Sequence, residues 1–507
     1  MGLNDQFELV YFGDSLTDDG NTYDLTSETL HTAYPPLTYG YAQKFTNGDT
    51  YAQVAADALG ATSYSNYAFG GAEAVGSQTI ERYVQESGLE NDVKDESLFD
   101  YDINLAAQVE RFLADTAGQD LSGLTASILI GANDYRNFAP TTNDPSETYL
   151  EAVTLIQNVV TSTITAAMTL LQSGVGTVLI NTLPPADFFP FIEQLPPVLQ
   201  DLSRQGFAMQ NQALEAAVAG LAAQGADIRI VDLEAMSTEI LLDPSTFGFV
   251  APLADSVLID MNGNPVASGF DPDQVAFFDE VHLTDAGHAI WGMFQAANLT
   301  HTVTFGSFGA DHINGTDSDD LVLASSDDDT LSLMQGNDVG IGGLGNDTML
   351  GGNGNDIVAG GSGDDVLDGG NGDDFLAGGN GDDEIYGGNG DDVLVDGLGG
   401  DMLFGGKGSD IFLFAENELI GGAATDDDLD IFDGDHGHDI LYLALTADSR
   451  SAVEDAVSGG ASFEDALACI GLLITGIEEV AFVDSRMDLA DVETSANIED
   501  ADLWGFI

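Results

Sequence analysis

Residues 342–413 read GGLGNDTML, GGNGNDIVA, GGSGDDVLD, GGNGDDFLA, GGNGDDEIY, GGNGDDVLV, DGLGGDMLF and GGKGSDIFL, eight consecutive units of nine. A fixed short period signals a stack of similar coils, each covering its apolar face with its neighbours. Glycines at the first, second and fourth places permit a tight turn and bare its carbonyls. The eighth place carries Met349, Val358, Leu367, Leu376, Ile385, Leu394, Leu403 and Phe412, an apolar ladder suited to a thin core. The sixth place is always Asp, and this column reaches back through degenerate units. Asp stands at 311, 320, 329, 338, 347, 356, 365, 374, 383, 392, 401 and 410 without a miss. Such a column is self-repelling unless a cation neutralises it, and Ca²⁺ takes six to eight hard oxygens of this kind.

Downstream, residues 414–507 form an acidic, moderately apolar tail ending Asp502-Leu503-Trp504-Gly505-Phe506-Ile507. Upstream, residues 1–304 change character. Apolar runs at Phe7–Phe12, Ser63–Ala68, Ala126–Ile130, Thr177–Asn181 and Asp227–Leu233 predict five strands. Helical patterns lie between them, as at Pro145–Gln172 and Leu202–Ala223. Strands alternating with helices predict a parallel sheet covered on both faces, with ligands beyond its carboxyl edge. The expected domains are 1–304, 305–413 and 414–507.

The chain of 507 residues carries 87 acidic and 10 basic side chains, net −77, and is 44% apolar. That apolar fraction suffices for packed cores. Ten cations cannot neutralise a phosphate track, which excludes a nucleic-acid partner and argues against electrostatic docking on an anionic membrane. Residues 1–300 hold 7 basic and 41 acidic side chains, net −34, so the repeats do not explain all the acidity. A cation-poor globular domain points to a saline medium that screens self-repulsion. The single Cys469 excludes an intramolecular disulfide. The start Met1–Gln6 lacks the basic and apolar regions of a cleavable leader, and no run predicts a transmembrane segment.

Four segments carry chemistry. The first predicted strand runs into Gly13-Asp14-Ser15-Leu16, with a serine at the mouth of the sheet. The second ends in Asn66–Ala72, whose Gly70-Gly71 pair turns backbone N–H groups toward a ligand. The third ends in Gly131-Ala132-Asn133-Asp134, where an amide suits a developing oxyanion. Asp279 and His282, three apart before a helix, let a carboxylate orient an imidazole. Each alone is an ordinary turn or cap.

In this order the four resemble the GDSL, or SGNH, serine hydrolases, over roughly residues 5–300. The resemblance implies a three-layer α/β/α sandwich, flavodoxin-like, around a five-stranded parallel sheet. It implies that Ser15 attacks an acyl carbonyl, that His282 carries its proton, and that Asp279 orients His282. The oxyanion would sit among the Ser15 N–H, the Gly71 N–H and the Asn133 amide, with Gly70 as the alternative to Gly71. His288, also three residues after an aspartate, is the rival base; His282 is preferred because it precedes the helix. No cofactor is expected for catalysis. Substrates in the family range over lipids, lysophospholipids, small esters and acetylated sugars. The apolar cluster Phe188, Phe189, Phe191 and Ile192 suits an acyl-binding lip, with a packed loop as the alternative.

The nonapeptides resemble RTX (repeats-in-toxin) units. These imply a parallel β-roll holding structural Ca²⁺ on Asp347, Asp356, Asp365, Asp374, Asp383, Asp392, Asp401 and Asp410. Proteins with such arrays resemble type I secretion substrates of Gram-negative bacteria, with the export signal in the C-terminal tail. The expected protein is thus an extracellular serine carboxylic-ester hydrolase acting on an ester or lipid. The alternative is a calcium-dependent adhesion protein whose hydrolase domain is vestigial.

Overall fold

The computed structural model describes residues 8–483 except 31–32, 34, 36–42, 47, 62, 87–91, 96, 139–140, 142–144, 245, 248, 250–256, 259–274, 280 and 416–428. Met1–Gln6, His31 and the closing Asp502–Ile507 lie outside the described residues. The chain divides into two compact units, Met1–Pro244 with Phe249–Ala296, and Ser245–Gly248 with Ala297–Ile507.

The first unit is built on five strands, β1 (Glu8–Gly13), β2 (Ser63–Asn66), β3 (Leu124–Leu129), β4 (Thr177–Asn181) and β5 (Ile228–Val231). All pair in parallel, in the order β2-β1-β3-β4-β5. Val10, Phe12, Ala126, Ile128, Val178 and Ile180 are buried in one core under the helices. Those used below are α1 (Asn21–Thr29), α2 (Tyr51–Ala58), α3 (Ile80–Glu86), α4 (Leu105–Asp115), α5 (Ala132–Arg136), α6 (Pro145–Gln172), α7 (Pro190–Glu193), α8 (Pro197–Ala222), α9 (Leu233–Leu242) and α10 (Asp285–Thr300). The architecture is the expected α/β sandwich. By length and composition α6 is apolar enough to cross a membrane, yet Val159, Ala167 and Leu170 on it belong to the core. The strand order reverses at β1, which has β2 on one side and β3 on the other. The crevice for a ligand therefore opens where β1 and β3 end, just before Ser15 and Asn133.

The second unit is a parallel β-roll. Its strands run from Thr302–Phe305 to Glu479–Val483 and fall alternately into a nine-stranded and an eight-stranded sheet. Up to the last nonapeptide each strand pairs with the one 18 residues on, as Val339 with Ile357 and Val358 with Leu376. Two nonapeptides thus make one coil. Every residue of the apolar ladder from Met349 to Phe412 is fully buried. Gly361 shows why the second place is glycine: its φ is +110°, and a Cβ would strike the Gly343 carbonyl of the preceding coil. The coil continues beyond the last nonapeptide, through Asp430–Gly437, Ile440–Ala444, Leu472–Thr475 and Glu479–Val483.

Candidate active site and cation column

Ser15 sits in the turn that closes β1. Gln108, buried on α4, accepts from the Gly13 N–H at 2.9 Å and donates to the Gly13 carbonyl at 2.8 Å, fixing the strand end. Gly13 cannot carry a side chain, because a Cβ would meet the Leu129 carbonyl of β3. The Asp14 carbonyl accepts from Thr17 and Asp18, which makes a tight turn with Ser15 at its outer corner.

His282 meets this corner. The Ser15 Oγ lies 2.9 Å from His282 Nε2, and His282 Nδ1 lies 2.8 Å from Asp279 Oδ2. Asp279 also accepts the backbone N–H groups of Val281 and His282, both at 2.8 Å. Surrounded by donors, the carboxylate takes the Nδ1 hydrogen, which leaves Nε2 to accept from the serine hydroxyl. Phe45 packs on the imidazole with ring centroids 5.0 Å apart. His288 is elsewhere. It is buried in α10, its Nδ1 accepts the Tyr51 N–H at 3.1 Å, and burial pushes its pKa down to about 3. A neutral imidazole spent on the start of α2 is structural. His301, at the end of α10, pairs with Thr300.

The two glycines of the pair differ in hydrogen bonding. The Gly70 N–H is taken by Asp18 Oδ2 at 2.9 Å and Thr22 Oγ1 at 2.6 Å. The Gly71 N–H makes no hydrogen bond among the described residues, and Gly71 has φ +80° with the Tyr83 ring of α3 where a Cβ would go. Asn133, near the start of α5, donates from Nδ2 to the Ala72 carbonyl at 3.1 Å, leaving the other amide hydrogen for a second acceptor. Its neighbour Asp134 accepts from Ala74 at 2.8 Å and Val75 at 3.1 Å, tying the glycine loop to the end of β3. Burial pushes Asp14 and Asp134 up to about 7 and Asp18 up to about 6.

An apolar cavity opens from Ser15 and Asn133. Phe189, Phe191, Ile192, Ile156 and Phe207 are among its walls. Three of the four residues expected in the lip are therefore present. Phe188 is turned away and buried, stacked on Trp291 with centroids 5.8 Å apart. The walls on α5, α6 and α8 had no motif to announce them.

In the roll, the expected aspartates from Asp347 to Asp410 are buried and form two columns of alternate members, one through Asp347, Asp365, Asp383 and Asp401 and one through Asp356, Asp374, Asp392 and Asp410. Each accepts on Oδ1 the N–H of the aspartate 18 residues earlier, as Asp347 donating to Asp365 at 2.7 Å and Asp356 to Asp374 at 2.8 Å. The Oδ2 atoms of Asp347, Asp356, Asp365, Asp374, Asp383, Asp392 and Asp410 are buried with no hydrogen bond. Each points at the first glycine of its own unit. A Cβ on Gly351 would lie 2.6 Å from Asp356 Oδ2 and 2.6 Å from the Gly369 carbonyl of the next coil. The glycine therefore leaves a hollow faced by carboxylate and carbonyl oxygen, with no donor in it. That donor set fits Ca²⁺, a hard cation that accepts backbone carbonyls. No cluster of three or more His, Cys, Asp or Glu side chains forms among the described residues. Asp311 keeps the period but not the burial. Two members were missed: Asp401 and Asp410 donate to Asp430 and Asp439 across intervals of 29 residues. The segment Gly434–Leu441 keeps the spacing of glycine, Asp and apolar residue, which is the signal that reveals Asp439.

A family model of GDSL-like lipases and acylhydrolases matches residues 9–294. A model of the RTX calcium-binding nonapeptide repeat matches three times, at 305–340, 341–376 and 377–412. No curated protein matches the chain.

Proposed function

The chain belongs to the GDSL-like lipase/acylhydrolase family, and from that premise we propose that it is a serine carboxylic-ester hydrolase working through an acyl-enzyme on Ser15. The observation that carries this reading is the continuous chain of contacts from Ser15 Oγ to His282 Nε2, 2.9 Å, and from His282 Nδ1 to Asp279, 2.8 Å, at the mouth of an apolar cavity. Ser15 Oγ attacks the acyl carbonyl while its proton passes to His282 Nε2. The carbonyl oxygen becomes an oxyanion and receives the N–H groups of Ser15 and Gly71 and the amide of Asn133. The C–O bond to the alcohol then breaks, and the alcohol leaves with the proton from His282. Water enters by the same steps in reverse and releases the acid. Asp279 keeps the imidazole in its tautomer and steadies its transient charge. The cavity takes the acyl chain, which makes esters of lipid type, lysophospholipids among them, the substrate class.

The proposed division of labour is a hydrolase at 1–304, a calcium roll at 305–413, and a cap at 414–507 that carries the export signal. Bound Ca²⁺ supplies the positive charge that the Asp column lacks. The match to RTX repeats supports export by type I machinery to the outside of a Gram-negative cell. There the calcium is high enough to fold the roll; inside, the column stays self-repelling and the chain threadable.

A serine-reactive fluorophosphonate tests the catalytic assignment. The protein should label, Ser15→Ala should not, and the variant should lose turnover of a soluble ester by about 10⁴-fold or more. Absence of labelling in the native protein would leave the vestigial-hydrolase reading in its place. An ester panel graded by acyl length should rise with chain length as the cavity fills.

A further inference from the structure

Among the described residues of the catalytic unit, five large apolar side chains stand exposed, and four of them begin two helices. Tyr149 and Leu150 lie in the first turns of α6, at 52% and 65% exposure; Val198 and Leu199 open α8, at 78% and 45%. α6 and α8 pack against each other. Tyr149 and Leu199 also line the cavity that starts at Ser15. Leu150 and Val198, next to them in sequence, stand outside it. The apolar wall of the acyl cavity therefore runs out onto the surface. A clustered patch of this kind marks an interaction surface.

Charge selects the partner. Glu147, Glu151, Glu193 and Asp201 lie on the same two helix starts and the short α7 between them. Arg204, the cation of that stretch of α8, is held by Asp187 at 2.7 Å and Asp201 at 3.1 Å. An anionic surface would be repelled by this ring, and a soluble cationic protein would find no use for the apolar centre. A lipid surface without net charge accepts both.

We propose that the first turns of α6 and α8 are the face by which this protein settles on aggregated ester lipid of zero net charge, with Leu150 and Val198 entering the acyl layer. The cavity then opens directly into that layer, and an acyl chain reaches Ser15 without crossing water. The proposal rests on the ester-hydrolase reading above and extends it to the physical state of the substrate.

The test uses the full chain at one calcium concentration, with native protein, Ser15→Ala and the double variant Leu150→Ser, Val198→Ser. Binding is read by flotation with phosphatidylcholine and with phosphatidylglycerol vesicles, and turnover with a short soluble ester. Native protein and Ser15→Ala should float with phosphatidylcholine and not with phosphatidylglycerol. The double variant should lose that binding by about tenfold or more, the scale set by burying two aliphatic side chains. Its turnover of the soluble ester should be unchanged, since neither residue lines the cavity, and this also reports that it folds. Undiminished binding by the double variant, equal binding to phosphatidylglycerol, or no binding to phosphatidylcholine would each overturn the proposal. If Ser15→Ala floats while the native protein fails to hydrolyse the soluble ester, the enzyme reading falls and the docking face stands.

Discussion

Buried carboxylates occur in both units, and they are treated in opposite ways. In the catalytic unit Asp18, Asp134 and Asp279 are surrounded by donors. Asp18 accepts from Gly20, Asn21 and Gly70 at 3.0, 2.7 and 2.9 Å. Asp134 holds two backbone N–H groups, and Asp279 holds two and an imidazole. In the roll, Asp365 and Asp374 each take one N–H on Oδ1 and leave a buried Oδ2 with none. A buried acceptor lacking a donor costs about 1–3 kcal/mol, more if charged. The first arrangement is complete as polypeptide; the second is complete only with a cation. The difference shows which part of the molecule should depend on its medium.

The largest effect expected from that contrast is calcium withdrawal from the full chain. Each ion present at ten times its dissociation constant multiplies the ratio of folded to unfolded roll by about ten, and several such ions compound to about 10⁴-fold or more. Hydrogen exchange should show protection lost by that order in the strands between Asp320 and Ala444, with β1 to β5 little altered. Turnover of a soluble ester should stay within about twofold, because no catalytic group is proposed as a calcium ligand. Equal loss of protection in both units would erase the distinction. Next comes Asn133→Ala, which should slow turnover by about 10²–10³-fold, the cost of one oxyanion donor, while fluorophosphonate labelling persists. The calcium midpoint of the roll should not move.

The smallest effect concerns pH. Burial pushes the column carboxyls up, to about 7 in Asp356 and Asp374, about 8 in Asp365 and about 9 in Asp383. Their ordinary value is about 3.9. Such a group holds its proton more tightly folded than unfolded. Its contribution to stability is therefore full below about pH 4 and disappears as pH climbs through about 7 to 9. The calcium-free roll should melt at higher temperature at pH 5 than at pH 9. With calcium the sense reverses, since protons compete with the ion, and the calcium midpoint should rise about tenfold from pH 8 to pH 5. A calcium-free roll that gains stability with rising pH would show the Oδ2 atoms to be otherwise satisfied.

The residues proposed to do the chemistry stood out in the sequence because their motifs are local. Ser15, Asp279 and His282 each occupy a loop position that a short pattern marks, and β4 matched its predicted bounds because Gly176 and Pro184 bracket one apolar run. What escaped the sequence was long-range. The choice between Gly70 and Gly71 turns on Asp18, some fifty residues earlier, whose side chain takes one of the two amides. α8 begins at Pro197, where proline is pre-set for a first turn, and not at Leu202. The exposed Val198 and Leu199 broke the amphipathic pattern there. Asp430 and Asp439 were hidden by an interval that breaks the nine-residue count while keeping the column in step.

The pairing of each strand with the one 18 residues on has a consequence for how such a chain can change length. Losing 18 residues anywhere in the nonapeptides removes one coil and returns every later strand to its own sheet. Losing nine transfers every later strand to the opposite sheet, so the two faces of the roll trade places from that point to Val483. Duplication and deletion are therefore tolerated in pairs of units. The interval from Asp401 to Asp430, 29 residues in place of 18, departs from that count by 11. The interval from Asp410 to Asp439 is equal to it, so both sheets are displaced together and neither column loses its partner.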